Sequence, residues 1–597
     1  MPSKEIEKTT LDKNFAFIIV LTNVIGLCIF TAVLFLTLPD REWMQNAFTY
    51  LSYYIMMALT ATWALTLIDL YQYKQPDLSK WIQRYWKGIL IAFLLALVVF
   101  VSVPKSFRVL SDETNLLSVA KSMTYNKNVQ NITEGRWYYE MFWATPTTGT
   151  EKRPFLFPFF TSLIHTFLGY HVENVYILNF LALWALLLLL FIALQSSLGY
   201  LWATCGLILV VTQPVIALSA TSASFEIFNS LFIMAGFLAL RSFINDPHHK
   251  TFIVLIMTLL MLANVRYESA LFLVIALVVL GFGGYIKPKF ISQSFSYALG
   301  LFFLLPLIWQ RVLLVSETDS NLVGGSWIKA FRFENAQQNI VLFFKYVLEP
   351  SGQLGYAGIV NIAGIVALIL IPIWALLSPS FLQRGERGVQ SNSINRDHWV
   401  LLICSAVSLL TLFLIVIFYQ GGINDHPLNG RFYIPILVVL SVAPVYFLAN
   451  LLKDRQRLLG PVFIGCLMAF VFYHPVAVED RLTNTLIIIR EYKYVEAFLK
   501  KNADKNTLVV WGRPGELIVS NYGAISYSTA NQDIDTILSQ FKNHLYSKIY
   551  VIQSIAYSNN APLSDNVVDS RYQLKTVDQQ QITGEYFYRI SQVKNLN

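Results

Sequence analysis

Asp112 and Glu113 stand side by side just beyond an apolar run that ends near Pro104. A carboxylate at such a boundary can take a proton from a water-borne hydroxyl while facing a partner held in lipid. An amphipathic stretch to Met123 follows, so a helix is expected, and Asp112 would equally suit its N-cap. Glu226 sits at the mouth of the apolar segment that begins near Phe225, behind the small polar run Ser219 to Ser224. An ionisable residue there reads as functional, although a glutamate also complements the helix dipole. Arg266-Tyr267-Glu268 interrupts an apolar hairpin, so either the two charges pair or Arg266 receives a phosphate. His426-Pro427 precedes Asn429-Gly430-Arg431-Phe432-Tyr433, which sets Arg431 at the end of another apolar segment. Its planar fork can grip phosphate oxygens where water is scarce, or it can anchor the helix at the interface.

The aromatic run Arg136-Trp137-Tyr138-Tyr139 lies in the same loop as the acidic pair. Such rings stack on sugars but also form interfacial belts, and packing is the reading favoured here. Asp533-Ile534-Asp535 has the spacing of metal-holding nucleotide-sugar transferases, but the tail around it is too small for a complete nucleotide domain, so helix capping is expected. Neither a phosphate-loop pattern nor HExxH occurs, so neither ATP-driven pumping nor zincin chemistry is supported.

These residues must be positioned by lipid-embedded helices. Of 597 residues, 55% are hydrophobic and only 13% charged, with aromatic residues at 15%, which excludes an ordinary soluble enzyme. Apolar stretches long enough to span recur from Phe15–Leu38 onward, and about 13 spans are expected. The net charge of +8 is carried by Lys and Arg in short connections, as cytoplasmic loops require, so no nucleic-acid partner is implied. The four cysteines lie in apolar runs with neither disulfide nor metal spacing. Assigning the basic loops to the cytoplasm puts the N-terminus inside and the C-terminus outside, provided that Phe155–Leu168 does not cross. The loops 104–154 and 316–355 then gather on the outer face with the Ser219 turn and the Gly421–Arg431 turn. Two domains are expected: a transmembrane module over 1–474 and a small α/β domain over 475–597. In the second, a helix over Tyr494–Lys501 and strands over Leu508–Trp511 and Lys548–Gln553 are predicted.

In order along the chain, the motifs resemble those of the GT-C superfamily of membrane glycosyltransferases, in its protein O-mannosyltransferase and aminoarabinose-transferase branch. They are Ser111-Asp112-Glu113-Thr114-Asn115, Glu151-Lys152-Arg153-Pro154-Phe155-Leu156, Ser219 to Glu226, Arg266-Tyr267-Glu268 and Gly430-Arg431-Phe432-Tyr433. The resemblance implies a mainly α, polytopic bundle and a sugar donor on a polyprenyl phosphate, and, with no endoplasmic-reticulum retention signal in the sequence, a bacterial inner membrane is the expected location. It implies an acceptor hydroxyl on a glycan, lipid or protein, and Asp112 as general base with Glu113 and Glu226 beside it. Arg431, Arg266, Lys152 and Tyr433 would hold the donor phosphate, while Arg136, Trp137, Tyr138 and His426 would form a substrate loop. Glu113 and Glu226 would be the ligands if a divalent metal is used. A polyprenyl-linked polysaccharide polymerase or ligase fits the same features. A secondary transporter would show midplane charges and broken helices in two repeated halves, and neither repeat nor midplane charge is evident.

Overall fold

A bilayer offers no hydrogen-bond partner to a free N–H or C=O, so apolar segments that enter it must satisfy their backbone internally, as helices do. The computed structural model describes the chain outside residues 1–28, 31, 34–39, 140, 147–150, 287–295, 322–331, 378–390, 420–426, 453–455 and 595–597. The expected first span therefore lies almost wholly outside the described residues, as does His426. Among the described residues, seven helices are long and apolar enough to cross a membrane, or eight if one bent pair counts as a single span. By length and composition this is an integral membrane protein. Leu156–Leu168, the segment expected not to cross, forms a helix of 13 residues, about 20 Å long against a hydrocarbon core of about 30 Å.

One expected span is corrected. The stretch 199–219 is not continuous: Tyr200–Val211 and Pro214–Ala220 meet at 77°. Pro214 has no N–H to donate to the preceding turn and opens the second helix instead. Gln213 fills the break. Its Nε2 donates to Asn361 Oδ1 at 2.8 Å and Ser441 Oγ at 3.1 Å, and its Oε1 accepts from the Ala357 N–H at 3.0 Å. The bend returns the chain into the bundle, so Ser219 to Phe225 are buried throughout.

Close backbone approach sets the neighbouring helices. A Cβ on Gly364 would lie 2.2 Å from the Leu440 carbonyl oxygen, so Gly358–Leu377 and Ile434–Leu451 can touch only because residue 364 is glycine. A Cβ on Gly430 would lie 1.1 Å from the hydroxyl of buried Tyr356, which makes this glycine the seat of Arg431.

The tail packs as a seven-stranded sheet, and it is not built from the tail alone. Strands β1 (Ile132–Tyr138) and β2 (Met141–Pro146) come from the loop after the acidic pair. The others are β3 (Thr507–Val510), β4 (Gly523–Ile525), β5 (Lys548–Ala556), β6 (Leu574–Gln581) and β7 (Tyr586–Val593). Their order is β2-β1-β4-β3-β5-β7-β6, with β3 parallel to β4 and β5 and the other pairs antiparallel. The predicted strands at 508–511 and 548–553 are β3 and β5, and the predicted helix is longer, Ile487–Asn502. Asp533 and Asp535 do not cap Ile534–Lys542 with their side chains; they pair with Arg136 and Arg571.

Adding a methyl at Gly364 must push apart a pair of helices, one of which continues from Arg431. Gly364→Ala is expected to cost about 1–3 kcal/mol through overpacking and to lower the melting temperature in detergent. Gly460→Ala, whose added Cβ meets nothing within 4 Å, should leave it unchanged.

Candidate active site

Asp112 lies in the first turn of the helix Leu110–Tyr125, whose N-cap residue, Val109, makes no side-chain capping bond. The capping role open to Asp112 is thus not the one its carboxylate performs. One oxygen pairs with Arg153 Nη2, and the other accepts from Arg431 Nη2 at 2.6 Å. Arg431 also places its Nε 3.0 Å from Glu226 Oε1, and Arg153 places its Nη1 2.6 Å from Glu151 Oε1. Glu226, Arg431, Asp112, Arg153 and Glu151 therefore form one alternating chain of charge. Gln310 anchors its far end, donating to the carbonyls of Glu151 at 2.6 Å and Arg153 at 2.9 Å. Burial alone would raise the pKa of Asp112, but Arg153 and Arg431 outweigh it and hold the carboxyl below its ordinary value.

These groups border a cavity of about 140 Å³ lined by Asp112, Lys152, Arg153, Arg266, Tyr267, Glu268, Tyr419, Arg431 and Phe432, among others. Four cations face two carboxylates across it. Arg266 is already engaged by Glu268, with Nε and Nη2 each 3.2 Å from a carboxylate oxygen, and its guanidinium lies 4.7 Å from the Phe432 ring centre. Arg431 is 5% exposed, and its Nη1 has no hydrogen-bond partner among the described residues.

Not every expected residue arrives there. Glu113 is fully buried and clasps backbone: Oε1 accepts from the N–H groups of Arg108 at 3.1 Å and Val109 at 3.0 Å, and Oε2 from Ala223 at 2.9 Å. It ties the start of the Asp112 helix to the Ser219–Phe225 turn. Glu226 stands behind Arg431 rather than on the cavity wall. Tyr433 is buried among Phe343 and Phe413, with ring centres 4.7 and 5.8 Å away, and does not line the cavity. Arg136, Trp137 and Tyr138 lie in β1 and bond to the tail: to Asp533, to the Asn521 carbonyl at 3.0 Å and to Gln540 at 3.1 Å. Among the described residues no group of three or more His, Cys, Asp or Glu could hold a metal. The pair expected to hold one is divided: three backbone N–H groups take up the oxygens of Glu113, whereas Glu226 faces Arg431 through Oε1 and its buried Oε2 has no hydrogen-bond partner among the described residues.

Two contributors were not singled out from sequence. Arg153 pairs with Asp112 and lines the cavity together with Lys152; it lies within the run 151–156, where no periodicity decides which neighbour points inward. Arg108, 2% exposed, forms a buried ion pair with Asp480 and donates to Thr483 Oγ1 at 3.2 Å and Thr221 Oγ1 at 3.3 Å. That junction joins the approach to Asp112, the buried turn and the start of the tail.

No protein-family model matches the chain, and no curated protein matches it. Among solved structures the chain is similar to ArnT from Cupriavidus metallidurans bound to undecaprenyl phosphate, at 11% identity and a TM-score of 0.43, over 86% of this chain and 99% of that one. It is similar to the Archaeoglobus fulgidus oligosaccharyltransferase in complex with Zn and sulfate, at 11% identity and a TM-score of 0.40, over 78% and 67%. A third is the mycobacterial arabinofuranosyltransferase AftD, at 12% identity and a TM-score of 0.38, over 85% and 40%.

Burial pushes the pKa of Glu113 up from 4.5 to about 7, although Arg431 and the three N–H groups favour its anion. Between those two values the folded chain holds a proton that the unfolded chain has released, so this residue's contribution to stability falls as pH rises through that window. Melting temperatures measured between pH 5 and 7.5 should fall more steeply for wild type than for Glu113→Gln. Equal slopes would mean that Glu113 stays ionised throughout.

Proposed function

We propose that this protein is a membrane glycosyltransferase that moves a sugar from a polyprenyl-phosphate donor to an acceptor hydroxyl at the outer face of the membrane, with inversion. The observation that carries this reading is Arg431, a nearly buried guanidinium on the wall of a cation-rich cavity, whose Nη1 has no hydrogen-bond partner among the described residues. A buried charged donor without an acceptor is costly, and a phosphate oxygen supplies what is missing. Directly along the same helix lies an apolar cavity of about 260 Å³, lined from Pro435 through Val438 and Val442 to Tyr446, with Ser230 and Phe237 opposite. Pro435 is one turn from Arg431 and Ser230 one turn from Glu226. A phosphate at the charged cluster would thus have room beneath it for a hydrocarbon chain.

Exposure selects the base. The Asp112 side chain is 29% exposed and that of Glu226 only 2%, so Asp112 alone of the two can meet an acceptor arriving from water. In the transfer, the acceptor oxygen attacks the anomeric carbon, Asp112 takes its proton, and the bond from that carbon to the phosphate oxygen breaks. The departing phosphate gathers negative charge, which Arg431 and Arg153 stabilise, with Lys152 and Arg266 at the rim. Without donor, both arginines lie on Asp112 and depress its basicity. A donor phosphate competes for them and so frees the base as it binds.

The accompanying topology has about 13 spans, the N-terminus in the cytoplasm, and the sheet and site outside, in an inner membrane. The broken span at Gln213 is a feature that transporters also use. Here its side chain is fully satisfied by neutral groups, with no charge left to receive an ion.

The test is transfer of radiolabelled sugar from a panel of synthetic polyprenyl-phosphate donors to membrane extract at matched expression. Asp112→Asn is expected to lower the rate by about 100-fold or more, and Arg431→Met to cost about 3 kcal/mol of transition-state stabilisation. Equal transfer by wild type and Asp112→Asn would remove Asp112 as the base. Absence of transfer from every donor, with protein folded, would end the transferase reading.

A further inference from the structure

A third cavity, of about 480 Å³, lies apart from the charged cluster. One side is formed by Lys105 to Phe107 and by the start of the helix Glu173–Leu198; the other by the helix Ile487–Asn502 and the segment Val519 to Tyr522. Its size falls within the roughly 300–1,000 Å³ of small-molecule sites, and interfaces between structural units are where such sites concentrate. The charged cavity, at about 140 Å³, has room for reacting groups but not for the body of a large acceptor.

The far wall is held in place from several directions. Tyr170 donates its hydroxyl to the Val519 carbonyl at 2.7 Å, and Tyr492 and Ser520 share a hydrogen bond of 2.9 Å. Lys121 reaches Asn521 Oδ1 at 2.9 Å and the Ile518 carbonyl at 2.8 Å, while Trp137 donates to the Asn521 carbonyl at 3.0 Å. Lys121 is 1% exposed, and the acceptors named here are neutral, so its charge is desolvated to fix this one segment. A wall pinned this way keeps its shape without a ligand, and a preformed site does not spend binding energy on ordering itself.

The lining suits a ring bearing many hydroxyls. Four tyrosines, Tyr170, Tyr176, Tyr492 and Tyr522, are among the lining residues, and aromatic side chains are the ones that pack against sugar rings. Lys493, Glu496 and Lys500 recur at helical spacing on the wall helix and offer donors and acceptors side by side. Ser106, on the opposite wall, has a buried hydroxyl with no partner among the described residues. A lipid tail would find too many polar groups here, and a simple anion would find carboxylates among the lysines.

We propose that this cleft is a saccharide-binding site, separate from the reacting carboxylate, that holds sugar units of the acceptor beyond the one that reacts. The acceptor role rests on the transferase reading, whereas saccharide binding does not.

The experiment is an array of defined oligosaccharides probed with the full-length protein in lipid nanodiscs, as wild type, Asp112→Asn, Ser520→Trp and the double variant Glu496→Ala/Lys500→Ala. Ser520→Trp fills the cleft. The double variant changes side chains that are 24% and 67% exposed and should fold whether or not the first does. Wild type and Asp112→Asn are expected to bind the same oligosaccharides, and the cleft variants to bind them about tenfold more weakly at an unchanged melting temperature. Binding to no oligosaccharide, or binding lost in Asp112→Asn and kept in the double variant, overturns the proposal. Glycan binding that depends on the cleft, in a protein that transfers from no donor, would leave the cleft standing and only the transferase reading defeated.

Discussion

A guanidinium at the edge of an apolar bundle is the constraint around which this protein is built. Taking Arg431 out of water costs several kcal/mol unless its charge is met, and at 5% exposure it must be met by protein. Asp112 and Glu226 meet it from two different helices, and Arg153 then balances Asp112 from a third segment. The helices are thereby obliged to converge, and the convergence leaves Arg431 on the wall of a cavity with its Nη1 unpartnered among the described residues. A fully neutralised arginine would be structural, and a fully exposed one would be weak. The intermediate arrangement leaves Arg431 paired to carboxylates on two helices and still incompletely satisfied beside a cavity.

Supporting that convergence is a layer of buried polar contacts that never touch the cavity. Glu113 holds three backbone N–H groups, Arg108 is locked to Asp480, and Gln213 bridges a broken helix. Each joins segments far apart in sequence, and each has a buried polar group as its alternative, which is expensive in a medium without water. The glycines at 364 and 430 do the same work through shape, letting backbone or a tyrosine hydroxyl come closer than any side chain would allow.

The sheet extends this logic beyond the bundle. Because β1 and β2 leave the Asp112 loop to join strands from the tail, the element that carries the acidic residue is fastened to the element that caps it. Lys121, on the Asp112 helix itself, repeats the connection through Ile518 and Asn521. The aromatic run at 136–138, which in isolation reads as interfacial belt or sugar platform, is occupied in this joint.

Local chemistry was enough to announce the membrane bundle, the short helix at 156–168 and two of the tail's strands, because hydropathy and periodicity are properties of contiguous residues. It also marked Asp112, Glu226, Arg266 and Arg431, because a charge beside an apolar run is conspicuous and costly wherever the chain goes. It could not say that Asp112 meets Arg153 instead of capping its own helix, that Glu113 turns inward to the backbone, or that Tyr433 faces phenylalanines. Nor could it show that 132–146 pairs with 523–525. Those outcomes depend on which distant groups arrive within about 3 Å of one another. Sequence determined which residues would be too expensive to leave unpaired; the tertiary structure alone decided their partners, because pairing energies depend on distance and burial, and neither exists until the chain has closed on itself.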